Sequence, residues 1–224
     1  MENSIRINIG CGLTPTNGWR NFDNSWSFFL ARIPLLPKLL YKFKLLEASQ
    51  YKAILQCTQF RQVEYGDATK GLPLSTGSVE ALYSSHMLEH LDQIEAAAFL
   101  KEAKRVLRSG GIIRLAVPDI RQQVQQYIES GDADTFIAST GLCEPHPRAF
   151  MQRLKMLFVG PRRHQWMYDG NSLCKLLLSH GFVNVNIMQP GETMIHDTGP
   201  LDLKERLSQS VYVEAKNPLN MVSS

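Results

Sequence analysis

Strand-like and helix-like segments alternate along this chain, and that alternation limits its fold more than any other feature. The run Ile112–Val117 is nearly continuous in apolar residues, which is typical of a strand buried on both faces. Before it, Leu91–Arg108 has apolar residues at three- and four-residue spacings, which predicts an amphipathic helix that ends at Gly110-Gly111. Alternating strands and helices indicate an α/β fold with a mostly parallel sheet covered on both faces.

The other predicted strands are short runs that end at glycine, aspartate or turn residues. They cover Ile5–Ile9, Trp19–Phe22, Gln62–Tyr65, Val79–Ser84, Phe182–Met188 and Ser210–Ala215. Only the last two have no helix between them, so we expect a doubly wound, seven-stranded, mostly parallel sheet with one antiparallel edge strand. A length of 224 residues fits one domain, with an apolar-basic insertion at about 26–58 and a helical insertion at about 120–168.

Composition excludes several classes of protein. With 44% hydrophobic and 20% charged residues, the chain can bury a full core, so it is neither disordered nor fibrous. A net charge of +3 is well below that of a dedicated nucleic-acid binder, so we expect no nucleic-acid partner. The four cysteines are far apart in the sequence, which indicates neither a zinc site nor a disulfide framework, and we predict no metal site. No signal peptide or membrane span is evident, so a cytoplasmic location is expected.

Small and acidic residues follow three of the predicted strands, at the edge where open α/β sheets bind ligands. Gly10-Cys11-Gly12 follows the first strand, where glycines let the backbone approach a ligand closely. Asp23 and Asp67 follow the second and third strands, where a carboxylate can accept hydrogen bonds from a ribose or an adenine amino group. Glycine and aspartate are also common turn residues, so a purely structural role is the alternative at each of these positions. Pro15 stands where a dinucleotide-binding fingerprint has its third glycine, which disfavours a nicotinamide site.

These and further motifs occur in an order that resembles a known family. The order is Ile7–Gly12, Gly18–Asp23, Gly66-Asp67-Ala68, Leu72-Pro73-Leu74, Val79–Leu91 and Leu107–Gly111. Together they resemble a class I S-adenosylmethionine-dependent methyltransferase. The type indicated is a small bacterial one found among surface-polysaccharide genes and related to the ubiquinone/menaquinone-biosynthesis methyltransferases. The resemblance covers residues 5–119 densely and returns at Arg163–Asp169.

The resemblance implies a Rossmann-like methyltransferase fold and S-adenosylmethionine as cofactor, with S-adenosylhomocysteine as product. By the same resemblance, the residues that bind the cofactor would be Gly10, Cys11, Gly12, Asp23, Asp67, Ala68, Ser84, Ser85 and His86. Asp23 would hold the ribose, Asp67 and Ala68 would face the adenine, and Ser84, Ser85 and His86 would line the methionine side. Two departures concern the methionine pocket: the helix after the first strand is shortened to Leu13–Gly18, and Pro15 replaces a small residue.

Three histidines are candidates for a catalytic role: His86, His90 and His164. His90 could take a proton from an acceptor hydroxyl, because histidine is the side chain that ordinarily changes its charge near neutral pH. The alternative is that Glu89 interacts with the helix N-terminus while His90 packs as a partly buried side chain. Methyl transfer is an in-line displacement that positioning alone can catalyse, so the reaction itself requires no base.

A second group of candidates lies on the acceptor side. The segment His146–His164 carries seven basic or histidine side chains and no carboxylate, and could hold an anionic acceptor. We expect the mouth of the site, facing His86 and His90, to contain Arg162, Arg163, His164, Trp166 and Tyr168. The alternative is a surface linker whose aromatic residues anchor the next helix.

The apolar-basic segment at residues 26–46 allows three interpretations. It is expected to form a mobile or helical cover over the cofactor, a peripheral contact with an anionic membrane near a lipid-linked acceptor, or an ordinary core-facing helix. The sequence is compatible with a monomer or a homodimer. Three functions stay open: methyl transfer to a small-molecule or glycan acceptor, a methyltransferase-like binding protein without activity, and, less favoured, a nicotinamide-dependent oxidoreductase.

Overall fold

The computed structural model describes residues 5–12, 14–24, 33, 35–43, 48, 51, 63–143 and 163–219. The strands within these ranges are β1 Ile5–Ile9, β2 Arg20–Asp23, β3 Val63–Tyr65, β4 Val79–Ser85, β5 Leu107–Pro118, β6 Val183–Met188 and β7 Ser210–Lys216. The helices are α1 Leu36–Lys42, α2 Gln93–Val106, α3 Ile120–Ser130, α4 Ala133–Thr140 and α5 Gly170–Ser179, with a 3-10 turn at Leu88–His90.

The described strands form one seven-stranded sheet in the order β3-β2-β1-β4-β5-β7-β6. Strands β1 to β5 pair in parallel, and β7 is antiparallel to both β5 and β6. This confirms the doubly wound, mostly parallel sheet of seven strands. The antiparallel strand lies one position inside the edge, where the sequence predicts it at the edge itself. Five consecutive residues of β7 are buried and none of β6 is, as expected for an inner strand and an edge strand.

Helix α2 covers one face of the sheet and begins at a capping box. The Asp92 carboxylate accepts from the N–H groups of Ile94 and Glu95, and the Glu95 carboxylate accepts from the N–H of Asp92. This cap starts the helix two residues later than its apolar spacing predicts. Phe99 and Leu100 are completely buried in the main core, where each such side chain contributes about 1.5–3 kcal/mol.

Strand β5 is longer than its apolar run predicts. The glycine pair Gly110-Gly111 lies inside the strand instead of between helix and strand. A Cβ atom on Gly111 would lie 3.0–3.1 Å from the carbonyl oxygens of Arg108, Glu80 and Val79, so the close approach of β4 and β5 requires glycine there. The sequence gives the same signal for a glycine that ends a helix and for one that lets two strands approach.

A buried ion pair connects the sheet to the long segment between β6 and β7. Arg114 on β5 donates to the Glu214 carboxylate on β7 at 2.6 Å, and both side chains are fully buried. The same guanidinium donates to the carbonyl oxygens of Glu192 and Leu203, and Glu214 accepts from the hydroxyl of Thr193 at 2.6 Å. These bonds hold the segment against the sheet beside the carboxyl end of β5.

Much of the two predicted insertions lies outside the described residues, including 52–60 and 144–162. Within the first insertion, α1 has no buried residue, which does not fit a core-facing helix. The cover and membrane interpretations of residues 26–46 stay predictions. No helix among the described residues has the length and apolar character needed to cross a membrane.

Candidate active site

A cleft of about 370 Å³ opens at the carboxyl ends of β1 to β4. Parallel strands place these ends side by side, so residues distant in sequence meet there. The cleft is lined by Ile9, Gly10, Asp23, Asn24, Gly66, Asp67, Ala68, Thr69, His86, Met87, His90, Leu91, Glu95 and Gln165. Of the predicted cofactor residues, Gly10, Asp23, Asp67, Ala68 and His86 line this first cleft. Cys11, Gly12, Ser84 and Ser85 lie close to it in the fold but do not line it.

Asp23 joins the ends of the first two strands. Its buried carboxylate accepts a hydrogen bond of 2.8 Å from the N–H of Gly12, which folds the loop after β1 onto the end of β2. The described backbone turns at Gly12 with a φ of 50°, a conformation that favours glycine. The carboxylate therefore lies at the wall of the first cleft, held by the backbone of the adjacent loop.

Gly10 shapes the cleft through close packing. Its φ is 70°, and a Cβ atom there would lie 2.6 Å from Cγ of Met87. Its N–H donates to the carbonyl oxygen of Phe22 at 2.8 Å. Any larger residue at this position would push the Met87 side chain out of the cleft wall, so the glycine determines the shape of the wall.

The Asp67 carboxylate is largely engaged by its own turn. It accepts from the N–H and hydroxyl of Thr69, at 3.0 and 2.6 Å, and from Nζ of Lys70 at 2.8 Å. Burial raises the pKa of Asp67, but the bonds from Lys70 and Thr69 outweigh burial and hold the pKa below its ordinary value. The turn interpretation accounts for these contacts, and the adjacent Gly66 and Ala68 line the first cleft beside it.

Beyond β4 the chain brings together four residues that we call the histidine–glutamate cluster: His86, Glu89, His90 and His164. Glu89 is 1% exposed, and neither of its carboxylate oxygens has a hydrogen-bond partner. His86 Nδ1 lies 3.3 Å from Glu89 Oε1, and His164 Nε2 lies 4.0 Å from the same oxygen. The rings of His90 and His164 meet edge to face at 5.0 Å. The cluster therefore surrounds one buried carboxylate.

Backbone hydrogen bonds bring His164 to this position. The N–H groups of Gln165 and Trp166 donate to the carbonyl oxygen of Glu89, at 2.7 and 3.2 Å. The Gln165 amide donates to the carbonyl oxygen of His90 at 2.9 Å. Gly141 leaves room for the His164 ring, since a Cβ atom on Gly141 would lie 2.7 Å from its Nδ1. Burial lowers the pKa of His164 below its ordinary value.

A second cleft, of about 380 Å³, lies on the other side of His86. It is lined by His86, Pro118, Gln122, Gln123, Gln126, Ser139, His164, Arg206, Ser208 and Gln209. His86 lines both clefts, and its Nε2 lies 2.8 Å from the hydroxyl of Ser210. Sequence reasoning missed the glutamines and Arg206. A signal was present in Gln122, Gln123 and Gln126, which give one face of a helix a polar surface directly after a buried strand.

The five residues predicted at the mouth of the site are placed differently from one another. His164 lines the second cleft, and Arg162 lies outside the described residues. Arg163 is exposed and accepts a hydrogen bond from His90 through its carbonyl oxygen. Trp166 is 47% exposed, whereas Tyr168 is 2% exposed and packs in the main core. Tyr168 thus anchors the start of α5, as the linker interpretation has it.

Comparisons with known proteins agree with this fold. Residues 39–115 match the sequence model of a methyltransferase domain, which is about a third of the chain. No curated protein matches the chain in sequence. An S-adenosylmethionine-dependent methyltransferase from Methanosarcina mazei has a TM-score of 0.53 and 13% identity over 98% of this chain and 95% of that one.

Two further solved structures are less similar in shape. A methyltransferase of the same cofactor class from Thermotoga maritima has a TM-score of 0.48 and 14% identity, covering 97% of this chain and 84% of its own. One from Mesorhizobium loti has a TM-score of 0.47 and 14% identity, covering 95% and 91%. At such identities the likeness shows the fold alone. The chain thus has the Rossmann-like methyltransferase fold, and the domain match supports S-adenosylmethionine as cofactor and S-adenosylhomocysteine as product.

Proposed function

We propose that this protein is an S-adenosylmethionine-dependent methyltransferase whose acceptor is a small, hydroxyl-rich molecule of glycan type with an anionic group. One observation carries the proposal: two clefts of similar volume share His86 as a common wall residue. A group transfer needs a donor and an acceptor whose reacting atoms come within about 3–3.5 Å. Two adjacent clefts on one sheet edge provide that arrangement.

The first cleft suits the cofactor. Asp23 offers a buried carboxylate to the ribose hydroxyls, and a carboxylate bound to charged or polar donors forms the stronger class of hydrogen bond. Ala68 and Leu91 add apolar surface for the adenine ring. The absence of a third glycine after β1 argues against a dinucleotide, as the sequence indicates.

The second cleft suits a hydroxyl-rich acceptor with one negative charge. Four glutamines and two serines supply paired donors and acceptors, which match sugar hydroxyls. Arg206 is the guanidinium in the lining, and guanidinium groups bind phosphate or carboxylate through two parallel hydrogen bonds. A surface-polysaccharide precursor, including a lipid-linked one, has this chemistry.

His86 and His164 border the acceptor, and His90 borders the cofactor. The proposed role of these histidines is to orient the acceptor hydroxyl and assist the loss of its proton as the methyl group is transferred. The sulfonium already carries a good leaving group, so most of the catalysis comes from holding the two substrates in line.

Calorimetry and thermal unfolding with S-adenosylmethionine, S-adenosylhomocysteine and NAD test the cofactor. A ligand that binds only the native protein raises the melting temperature. The proposal requires stabilisation by the two methionine-derived ligands and not by NAD; stabilisation by NAD alone would favour the oxidoreductase.

Identification of the acceptor requires a measurement of methyl transfer. We propose screening phosphorylated sugars and lipid-linked glycans with cofactor labelled in its methyl group. Transfer of label identifies an enzyme and its acceptor. Tight cofactor binding with no transfer to any member of a broad panel would favour the methyltransferase-like binding protein.

A further inference from the structure

The Glu89 carboxylate is buried beside His90, which lines the first cleft, and His164, which lines the second. Both of its oxygens are inaccessible to water and lack a hydrogen-bond partner. A buried carboxylate without a partner is costly, because burial removes its hydration and nothing replaces it. Such groups are paired with a cation or a metal ion in most proteins.

Two of the three histidines around this carboxylate, His90 and His164, use Nδ1 to donate elsewhere. His164 Nδ1 lies 2.6 Å from the carbonyl oxygen of Thr140, and His90 Nδ1 lies 3.2 Å from the carbonyl oxygen of Arg163. A carbonyl oxygen only accepts, so both Nδ1 atoms carry the hydrogen. In the neutral ring, Nε2 is then left with a lone pair.

Two electron-pair donors, His164 Nε2 and the Glu89 carboxylate, therefore face each other with no hydrogen between them. His164 Nε2 lies 4.0 Å from Glu89 Oε1, and one ring nitrogen of each histidine and a Glu89 oxygen all lie within 4.8 Å of one another. Lone pairs and a carboxylate repel one another at this range unless a cation lies among them. Histidines whose Nδ1–H donates to a backbone carbonyl are the usual form of metal-ligating histidine, because that bond fixes the ring and its tautomer.

We propose that Glu89, His90 and His164 bind a divalent transition-metal ion, most readily Zn²⁺, at the boundary of the two clefts. Two histidines and one glutamate are an established ligand set for zinc with an open fourth position. Zinc bonds to nitrogen and oxygen of about 2.0–2.2 Å in a tetrahedron separate neighbouring ligand atoms by about 3.3 Å. His164 Nε2 and Glu89 Oε1, 4.0 Å apart, need to approach by about 0.7 Å.

His86 completes the surroundings of the site as a positioning residue. Its Nδ1 lies 3.3 Å from Glu89 Oε1, and its Nε2 lies 2.8 Å from the Ser210 hydroxyl. The sequence offered no signal for the site through cysteine spacing, because its ligands are histidine and glutamate and one of them lies more than 70 residues from the other two.

The ligands also indicate what completes the coordination. His90 lines the first cleft and His164 the second, so the ion would lie where the two substrates meet. The fourth ligand is an oxygen donor: water or, if the proposed methyl transfer is correct, the acceptor hydroxyl, whose pKa the ion would lower. Coordination of the acceptor hydroxyl rests on the proposed function, whereas metal binding itself does not.

The test is metal binding by the full chain without cofactor or acceptor. After dialysis against a chelator, the protein is titrated with Zn²⁺ by calorimetry and with Co²⁺ by visible absorption. We expect one equivalent per chain and a cobalt spectrum of tetrahedral type. His90→Gln and His164→Gln, which keep side-chain size, should each weaken binding by about 100-fold or more, because loss of only the hydrogen-bond partner of a ligand already costs about 10–100-fold. The control His196→Ala removes an exposed histidine outside the cluster and should change nothing.

Melting temperatures measured by circular dichroism identify any variant that is unfolded. A folded His164→Gln variant that binds zinc as tightly as wild type, or a wild-type chain that binds none, would overturn the metal site. Cofactor binding by the metal-free protein is measured separately. Failure of S-adenosylmethionine to bind would count against the proposed function and leave the metal result standing.

Discussion

The guanidinium of Arg114 lies 2.6 Å from the carboxylate of Glu214, and neither side chain is exposed to solvent. Removal of one member would leave the other charged and buried, which typically costs about 3–5 kcal/mol. We therefore expect Arg114→Met to lower the free energy of unfolding by this amount, measured by urea denaturation. Arg108→Met is the matched control, because the Arg108–Glu80 pair is largely exposed and contributes about 0–1 kcal/mol.

The same variant has a functional consequence. Arg114 also bonds the carbonyl oxygens of Glu192 and Leu203, which begin the segment that carries Arg206 and Gln209 into the second cleft. We expect folded Arg114→Met protein to lose acceptor turnover while it retains cofactor binding. Equal losses in the Arg114 and Arg108 variants would show that the buried pair has no special role.

Asp23→Asn should weaken binding of S-adenosylhomocysteine by about 1.5–3 kcal/mol, the range for a hydrogen bond to a charged group. Asparagine keeps an oxygen that can accept from Gly12 N–H, so the loop after β1 should stay in place. Calorimetry on the purified variant measures the change. Asp134→Asn, at an exposed carboxylate in α4, is the control. Unchanged affinity in Asp23→Asn would remove this residue from the cofactor site.

The Glu102 carboxylate links α2 to the loop that follows Asp67. It accepts from the N–H of Leu72 at 2.6 Å and from Arg105 at 2.7 Å. Arg105 also donates to the carbonyl oxygens of Leu72 and Leu74, at 3.2 and 2.9 Å. The hydrogen bonds from Arg105 are the main reason that the pKa of Glu102 lies below its ordinary value.

A carboxyl group with a lowered pKa in the folded state stabilises the fold above its unfolded pKa, and this contribution is lost as pH falls through the folded pKa. Glu102→Gln should therefore lower the free energy of unfolding by about 1–3 kcal/mol at neutral pH. The difference from wild type should shrink below about pH 4. Urea unfolding across this range measures it, with the exposed Glu129→Gln as control. A difference that does not change with pH would contradict the assignment.

The membrane interpretation of residues 26–46 has a direct test. Around α1, Leu35 and Phe43 are 69% and 60% exposed, and Lys38 and Lys42 are exposed beside them. Apolar and basic side chains on one short helix suit an anionic lipid surface. We expect flotation with vesicles containing anionic lipid, weakened by salt and by a Lys38→Glu/Lys42→Glu double variant. Absence of salt-sensitive binding would exclude membrane contact through this segment.

The parts of the site that were predicted from sequence are local. Gly10 follows β1, Asp23 ends β2 and Asp67 lies two residues after β3. The carboxyl ends of neighbouring parallel strands lie at one edge of the sheet, so the shared position of these residues follows from the strand order. The fold itself was predictable for the same reason, because strand and helix periods are read within short windows.

The parts that sequence did not reveal depend on distant pairing. His164 reaches Glu89 only because Gln165 and Trp166 bond the Glu89 carbonyl oxygen, and no local pattern encodes that contact. The sequence around Tyr168 is compatible both with a residue that anchors a helix and with one that lines a cleft. In the structure Tyr168 is buried in the core. The order of β6 and β7 in the sheet is likewise not encoded locally, because four of six residues in β6 and four of seven in β7 are apolar.

The second cleft gives the final prediction. Arg206 supplies the guanidinium of its lining. Its backbone has a φ of 52°, a conformation that glutamine adopts about as readily as arginine, so Arg206→Gln removes the charge without adding backbone strain. We expect this variant to raise KM for an anionic acceptor about 10-fold or more, since hydrogen bonds between charged groups contribute about 1.5–3 kcal/mol. The Kd for S-adenosylhomocysteine, which belongs to the first cleft, should not change. The control Arg121→Gln removes an exposed guanidinium of α3 that does not line the cleft. Equal KM values in both variants and wild type would show that the acceptor's charge lies elsewhere, whereas a change in cofactor affinity would show that the two clefts do not bind their ligands separately.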